Sequence, residues 1–348
     1  MTPINPKQLS TDGYSRFFVM TSFLRALYPD GQKQFSLLDV GGGSPFMASQ
    51  LQEAGVDADL TILDVLPKPD DVTGKYVVGD ATRMDFPDNH FQTIISTDVL
   101  EHIDKDKKSK FVEECLRVAS DFVIIAAPFD TKGVDEAERV TNSLNKKLFN
   151  EGQKWLEEHF EQTKPQLEEI KKIVEKHGYE TTIVGTNNLF EWILSTHINL
   201  IDAKLGLNTK KHLKINQQYN EEIVNGNEFT SPSYRHFVIV YKKSPSQKTL
   251  SRVQAVFEPN SKTPTAAIDY TSKLLNLVAD RLSELQLTKS EQEKTVYNLE
   301  QNLAQEASTI TSQAEQIRQQ QSIIDSCKPY LRLRGSWFGR SIRRILRG

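Results

Sequence analysis

Up to about residue 243, short β-rich runs alternate with helix-length amphipathic stretches, and this alternation limits the fold more than any other feature of the chain. The runs cover residues 35–40, 58–65, 75–79, 93–96, 122–127, 180–184 and 234–241. Several are uninterrupted apolar stretches, such as Phe-Val-Ile-Ile-Ala-Ala at 122–127, the pattern of strands covered on both faces. Strands separated by helices predict an α/β fold with a parallel sheet between two helical layers. The last run follows a polar loop ending in Ser231-Pro232-Ser233 and alternates more openly, as expected of an antiparallel edge strand.

The chain has 348 residues, too many for that sheet alone, and its remainder has a different character. Residues 244–266 contain Pro245, Pro259 and Pro264 among Ser, Lys, Gln and Thr, and read as a linker. Residues 267–327 hold no Gly or Pro. Positions 275, 282, 289, 296, 303, 310, 317 and 324 are Leu, Leu, Lys, Val, Leu, Ile, Ile and Ile, a heptad seam that predicts a coiled coil and hence a homo-oligomer. The formal net charge is −3, yet residues 328–348 carry seven Lys/Arg and no acid. There Phe338, Ile342, Ile345 and Leu346 share one helical side, flanked by Arg340, Arg343, Arg344 and Arg347. That arrangement predicts a basic amphipathic tail on an anionic membrane surface; RNA or an acidic partner is the alternative for this tail. Two cysteines, Cys115 and Cys327, make neither a disulfide framework nor a zinc site. The first ten residues lack the regions of a signal peptide, and no apolar run is long enough to span a bilayer. These features predict a cytoplasmic protein, peripheral on the inner face of the cell membrane.

The chemistry concentrates where the early strands end. Leu37-Leu38-Asp39-Val40-Gly41-Gly42-Gly43-Ser44-Pro45 is a strand feeding a glycine turn that opens a helix, so that backbone can approach a nucleotide closely. A dinucleotide fingerprint would need a third glycine at 46, which is Phe46. Asp39 at the strand end suits an ammonium group better than a pyrophosphate. The next strand ends at Asp64, where a carboxylate can accept from both ribose hydroxyls. The third ends in Val78-Gly79-Asp80-Ala81, an acid and a backbone N–H suited to an adenine edge. The fourth runs from Phe91-Gln92 to Asp98-Val-Leu-Glu101-His102.

Together these segments resemble the class I S-adenosylmethionine-dependent methyltransferases, particularly small-molecule members with a Leu-Glu-His turn after strand four. The resemblance covers residues 13–243, including an antiparallel seventh strand, and implies a Rossmann-like seven-stranded sheet. It implies that Gly41 and Gly43 line the cofactor, Asp39 lies near its amino group, Asp64 holds the ribose, and Asp80 with Ala81 holds the adenine. Tyr14 and Arg16 open an amphipathic helix that in this fold covers the cofactor, and Arg16 is a candidate partner for its carboxylate. Pro45 replaces the usual third glycine, and Gln92 stands where the family usually has Asp.

Methyl transfer from a sulfonium requires a nucleophile held in line, and a base only when that nucleophile is a hydroxyl. His102 is the first candidate base. His159, in Trp155-Leu-Glu-Glu-His159, is the second, and its surroundings resemble a Trp-Leu-x-Glu-His element of bacterial glycan-locus methyltransferases. Residues 130–150 and 187–232 exceed the minimal fold and are expected to reach over the pocket. The organisation expected is a methyltransferase domain at 1–243, a linker at 244–266, a coiled coil at 267–327 and the basic tail at 328–348. The function expected is O-methylation of a sugar in a surface polysaccharide or its lipid-linked precursor, with no metal, since no clustered acids stand out. The alternatives are a lipid or quinone-type acceptor, or an assembly module that keeps the fold. Nucleic acid is disfavoured as a partner by the overall charge, and an Asp/Asn-Pro-Pro-Tyr element after strand four is absent.

Overall fold

The computed structural model describes residues 6–29, 34–43, 46–72, 74–207, 209–222, 228–258 and 265–345. The side chains of residues 6, 209, 222, 265–268, 324 and 326–345 lie outside the description. Ser44 and Pro45 fall outside it, and so do the side chains of the basic tail expected at 328–348. The chain divides into two units, Met1–Arg281 and Leu282–Gly348.

The first unit is built on a seven-stranded sheet: β1 (Phe35–Val40), β2 (Ala58–Asp64), β3 (Lys75–Val78), β4 (Phe91–Thr97), β5 (Ala119–Ala127), β6 (Glu180–Asn188) and β7 (Ser233–Tyr241). Their order across the sheet is β3-β2-β1-β4-β5-β7-β6. The pairs from β3 to β5 are parallel, and β7 is antiparallel to both neighbours. This is the Rossmann-like methyltransferase sheet expected above. The edge position is corrected: β7 is interior, Val238 facing Ile125 of β5 and Ile183 of β6, and β6 forms that edge. Phe237 to Tyr241 are accordingly all buried, as a strand flanked on both sides and covered on both faces must be.

Helices close both faces. On one, α3 (Lys108–Val118) and α6 (Leu167–Lys176) bury Phe111, Cys115, Leu116, Ile170 and Val174 against β4 and β5. On the other, α1 (Thr11–Leu27) and α2 (Phe46–Glu53) bury Met20, Phe23, Met47 and Leu51. Ser10 caps α1 by accepting from Gly13 N, which satisfies one orphan donor of its first turn. The extra stretches form α4 (Val134–Phe149), α5 (Lys154–Gln162), α7 (Leu189–Leu205) and α8 (Thr209–Glu222).

The linker expected at 244–266 contains α9 (Gln247–Phe257), whose Val253 is buried in the same cluster as Phe23 and Ile239. Proline content there marks the flanks of a docked helix instead of a free tether. The long helix α10 (Thr265–Ile345) begins inside the first unit, with Tyr270, Leu274 and Leu277 buried against Tyr14, Ile198 and Tyr219. Its first turns therefore serve the globular core, a role the heptad count did not distinguish. Within the second unit, Leu282, Val296, Leu303, Ile310 and Ile317 of the seam are exposed.

Candidate functional site

The parallel strands aim their carboxyl ends at one rim, and the turns there carry the residues singled out by sequence. Gly41, directly after β1, has φ +78°, and a Cβ on it would lie 2.2 Å from Val99 Cγ2. A Cβ on Gly42 would lie 2.3 Å from Asp39 Oδ2, and one on Gly43 would lie 3.0 Å from Asp64 Oδ2. The glycine run thus leaves a backbone cradle between two carboxylates, and a side chain would fill it. Asp39 is buried; that burial, and then the Asp64 charge, push its carboxyl up to about 7. Asp64 accepts from Leu66 N through Oδ1, 2.9 Å, which fixes the carboxylate at the β2 end.

Asp80 is exposed, and its Oδ1 accepts from Thr82 N and Thr82 Oγ1, both at 2.8 Å. Those two hydrogen bonds hold its carboxyl below the usual range. Val65, Leu66 and Val78 beside Asp64 and Asp80 are exposed apolar residues, and Ala81 is half-buried. An uncovered apolar shelf bordered by two carboxylates fits a purine riboside: apolar face for the ring, acid for the diol. Gln92 has a structural part, since its Oε1 accepts from Ser36 N and its own N–H donates to Ser36 Oγ, clasping β4 to β1.

Past the end of β4 the chain turns through Asp98, which has φ 56°, and enters a short 3₁₀ turn at Leu100–His102. Here the structure builds a cavity of about 350 Å³ whose lining includes Asp98, Glu101, His102, His159, Trp192 and Arg235. Arg16 also lines it, but its Nη1 donates to Asp98 Oδ2 at 2.8 Å, so the guanidinium already holds a carboxylate of the protein. Arg235, on β7 between β5 and the edge strand β6, is 1% exposed and donates twice to Asp98, at 2.7 Å each, and once to Asp12, at 3.1 Å. Burial opposes ionisation of Asp98, but Arg235 and then Arg16 outweigh it and bring its carboxyl down to about 2.

The two sequence-predicted histidines meet in this cavity, from segments 57 residues apart, with their Nε2 atoms 3.4 Å from each other. His159 is 2% exposed. Its Nδ1 lies 3.0 Å from Glu138 Oε1, which also accepts from Tyr234 Oη at 3.0 Å. Glu138 is further paired with Lys164 at 2.7 Å. His102 Nδ1 lies 3.1 Å from Glu158 Oε2. Burial, then the neighbouring His159, lowers the pKa of His102 and favours its neutral form. Glu101 is 1% exposed, 3.9 Å from His159 Nε2, and burial followed by the Asp98 charge raises its carboxyl well above the usual range.

Sequence reading named the histidines but gave no role to Asp98, Glu101, Glu138, Trp192, Tyr234 or Arg235. The one signal available was Arg235, a cation near the start of a strand whose later residues, Phe237 to Tyr241, are apolar or aromatic. The expectation of no metal rested on the absence of clustered acids along the chain, whereas Glu101, His102 and His159 come together in space with ligand atoms within 4.8 Å of one another.

Residues 38–124 match the family described as "Methyltransferase domain". No curated protein matches the chain. Among solved structures, similarity is found to phosphoethanolamine N-methyltransferase 2 of Haemonchus contortus in complex with S-adenosyl-L-methionine, at 16% identity over 67% of this chain and 57% of that one, TM-score 0.41. Magnesium protoporphyrin IX methyltransferase of Synechocystis with bound SAH is similar at 13% identity over 67% and 86%, TM-score 0.41. A SAM-dependent methyltransferase of Archaeoglobus fulgidus is similar at 16% identity over 65% and 94%, TM-score 0.37. Likenesses this distant carry no argument about activity; the fold rests on its own strand order, and the domain on the match over β1 to β5. That segment holds the glycine turn, Asp64 and Asp80, so the match to a methyltransferase domain falls on the residues placed for a cofactor and supports S-adenosylmethionine as that cofactor.

Proposed function

We propose that this chain transfers a methyl group to a hydroxyl of an acceptor seated in the Asp98–His102–His159 cavity. The observation that carries the reading is adjacency. Val99, one residue past Asp98, packs on Gly41 of the cofactor turn, so the cavity begins where the cradle ends. S-adenosylmethionine supplies an electrophilic methyl on a sulfonium, and transfer leaves the S–C electron pair on sulfur as the thioether S-adenosylhomocysteine. Asp64 would hold the ribose diol, the shelf of Val65, Leu66 and Val78 the adenine, and Asp39 the amino group. The acceptor's hydroxyl proton has neutral His102 to go to, with His159 beside it oriented by Glu138. Most of the rate would come from holding the oxygen in line.

For the acceptor, a sugar of a surface polysaccharide or its lipid-linked precursor fits the lining best. Trp155 offers a partly exposed aromatic ring beside the stacked Trp192–Tyr234 pair, while carboxylates and imidazoles offer hydrogen bonds, a pairing that suits a ring of hydroxyls. A second cavity, about 690 Å³, is lined by Ala137, Val140, Leu189, Phe190 and Ile193 among others, and has room for an apolar moiety of such a precursor. The exposed seam of α10 supports a homo-oligomer, and residues 328–348 supply a basic attachment to an anionic membrane. No helix among the described residues is long and apolar enough to cross a membrane.

The test is transfer of label from methyl-labelled S-adenosylmethionine into fractionated host extract, with Asp64→Ala as control. Label in the glycan fraction that Asp64→Ala fails to produce is expected. Label in a lipid or quinone fraction would keep the enzyme and discard the sugar. Cofactor binding with no label in any fraction would favour the assembly module.

A further inference from the structure

We propose that Glu101, His102 and His159 bind a divalent transition-metal ion, zinc in the first place, with an open coordination position facing the acceptor cavity. Three electron-rich atoms converge here. His159 presents Nδ1 to Glu138, a carboxylate that already accepts from Tyr234 and pairs with Lys164, so that nitrogen carries the hydrogen and Nε2 carries the lone pair. His102 Nδ1 lies 3.1 Å from Glu158 Oε2 without forming a hydrogen bond to it, so either ring nitrogen of His102 can carry the hydrogen and its Nε2 can take the lone pair. The two Nε2 atoms nevertheless face each other at 3.4 Å, and Glu101 Oε1 lies 3.9 Å from that of His159. Glu101 Oε2 is buried and has no hydrogen-bond partner. Gathered in this way, the two Nε2 lone pairs and an ionised Glu101 repel unless a proton or a metal cation sits among them.

The two Nε2 atoms are spaced for a small ion, and the Glu101 carboxylate, 3.9 Å from His159 Nε2 and with all three ligand atoms within 4.8 Å of one another, would move in to complete the set. Tetrahedral zinc with Zn–N bonds of about 2.0–2.1 Å separates its ligand nitrogens by about 3.4 Å. Two histidines and one glutamate, with a fourth position left open, is also a donor set of catalytic zinc sites. The outer partner of His159 agrees, because its other nitrogen is hydrogen-bonded to Glu138, the arrangement that fixes ring orientation at metal centres, and Glu158 stands beside the other nitrogen of His102. The nearby cations do not compete. Arg235 and Arg16 are held by Asp98, and Lys164 by Glu138 and Asp135. Glu101 is left to face the histidines. An ion in this position would take over from His102 the activation of the acceptor: it would lower the pKa of a hydroxyl on its open site, whose proton would be lost to water before methyl transfer, so the inference rests on the methyltransferase reading for its use and on geometry alone for its existence.

The experiment uses the full-length chain, stripped with chelator and titrated with Zn²⁺ by calorimetry and with Co²⁺ by visible absorption. One equivalent per chain is expected, with Co²⁺ bands of a low-coordinate nitrogen and oxygen site. His102→Ala, at the half-exposed ligand, and Glu101→Gln, close in shape to the original, should each weaken binding at least tenfold. His177→Ala, at an exposed histidine elsewhere, should leave it unchanged. Absence of stoichiometric binding, or binding that neither ligand variant weakens, overturns the proposal and leaves the two imidazoles sharing a proton. S-adenosylmethionine binding by the same stripped protein reads the methyltransferase assignment separately, so the two can fail independently.

Discussion

Asp39 shows how much a single residue can report. Its folded carboxyl titrates near 7 against an ordinary 3.8, because it is buried beneath the glycine turn. An ammonium placed beside it favours the charged form, so binding the cofactor should expel a proton below that pH. Cofactor affinity is therefore expected to rise with pH up to about 7, by as much as tenfold per unit, and Asp39→Asn should flatten the dependence. Calorimetry in two buffers of different protonation enthalpy reads the proton directly; equal heats at pH 6 would contradict the placement. Without cofactor the sign reverses. The folded state holds the proton that the unfolded state releases, so stability should fall as pH rises between about 4 and 7. Asp39, Gly41, Gly43 and Asp64 were all legible as residues, since local strand–turn–helix chemistry dictates them. Arg16 reads from sequence as a partner for the cofactor's carboxylate; that it holds Asp98 instead depends on where α1 lies.

At the scale of elements, Asp98 ties the end of β4 to α1 through Arg16 and to β7 through Arg235. With its carboxyl near 2 in the fold and 3.8 as reference, the tie is present above about pH 4 and lost as pH falls towards 2. Asp98→Ala leaves Arg235 buried without its main partner and should cost about 3–5 kcal/mol, whereas Asp98→Ala combined with Arg235→Met should recover part of that loss. Denaturant unfolding of the two variants checks this, and equal destabilisation would mean the ion pair is not the linchpin. The β1–α2 turn has its own test. Gly41→Ala places a Cβ on left-handed backbone and into Val99, and should cost about 2 kcal/mol or more, read as a lowered Tm. The strands were legible because buried parallel strands must be apolar throughout. The position of β7 was not, because an antiparallel strand's own pattern does not name its neighbours.

For the whole molecule, the exposed seam of α10 is the feature with most consequence. Leu303, Ile310 and Ile317 are each about two-thirds exposed, at seven-residue spacing, and such a row is covered when helices pair. Sedimentation should show an oligomer for the full-length chain. Leu303→Asp with Ile310→Asp should shift it to monomer while leaving S-adenosylmethionine binding intact. A monomeric wild-type chain at micromolar concentration would remove the coiled coil from the account. The heptad was plain in the sequence, yet the same helix begins by burying Tyr270, Leu274 and Leu277 in the globular unit, so its boundary with the first unit lies at Arg281.

The sequence by itself determined the sheet, the glycine turn and the acids at successive strand ends, because these follow from burial and backbone geometry over a few residues. Only the tertiary structure decided what stands opposite the cofactor turn. Glu101 and His102 on the β4 turn, Glu138 on α4, His159 on α5 and Tyr234 and Arg235 on β7 come from four separate stretches of chain. No local pattern relates them, since their meeting depends on how α4 and α5 dock and on β7 entering between β5 and β6. Side chains brought together that way share a proton, an ion or an acceptor only because folding excludes water from the space between them.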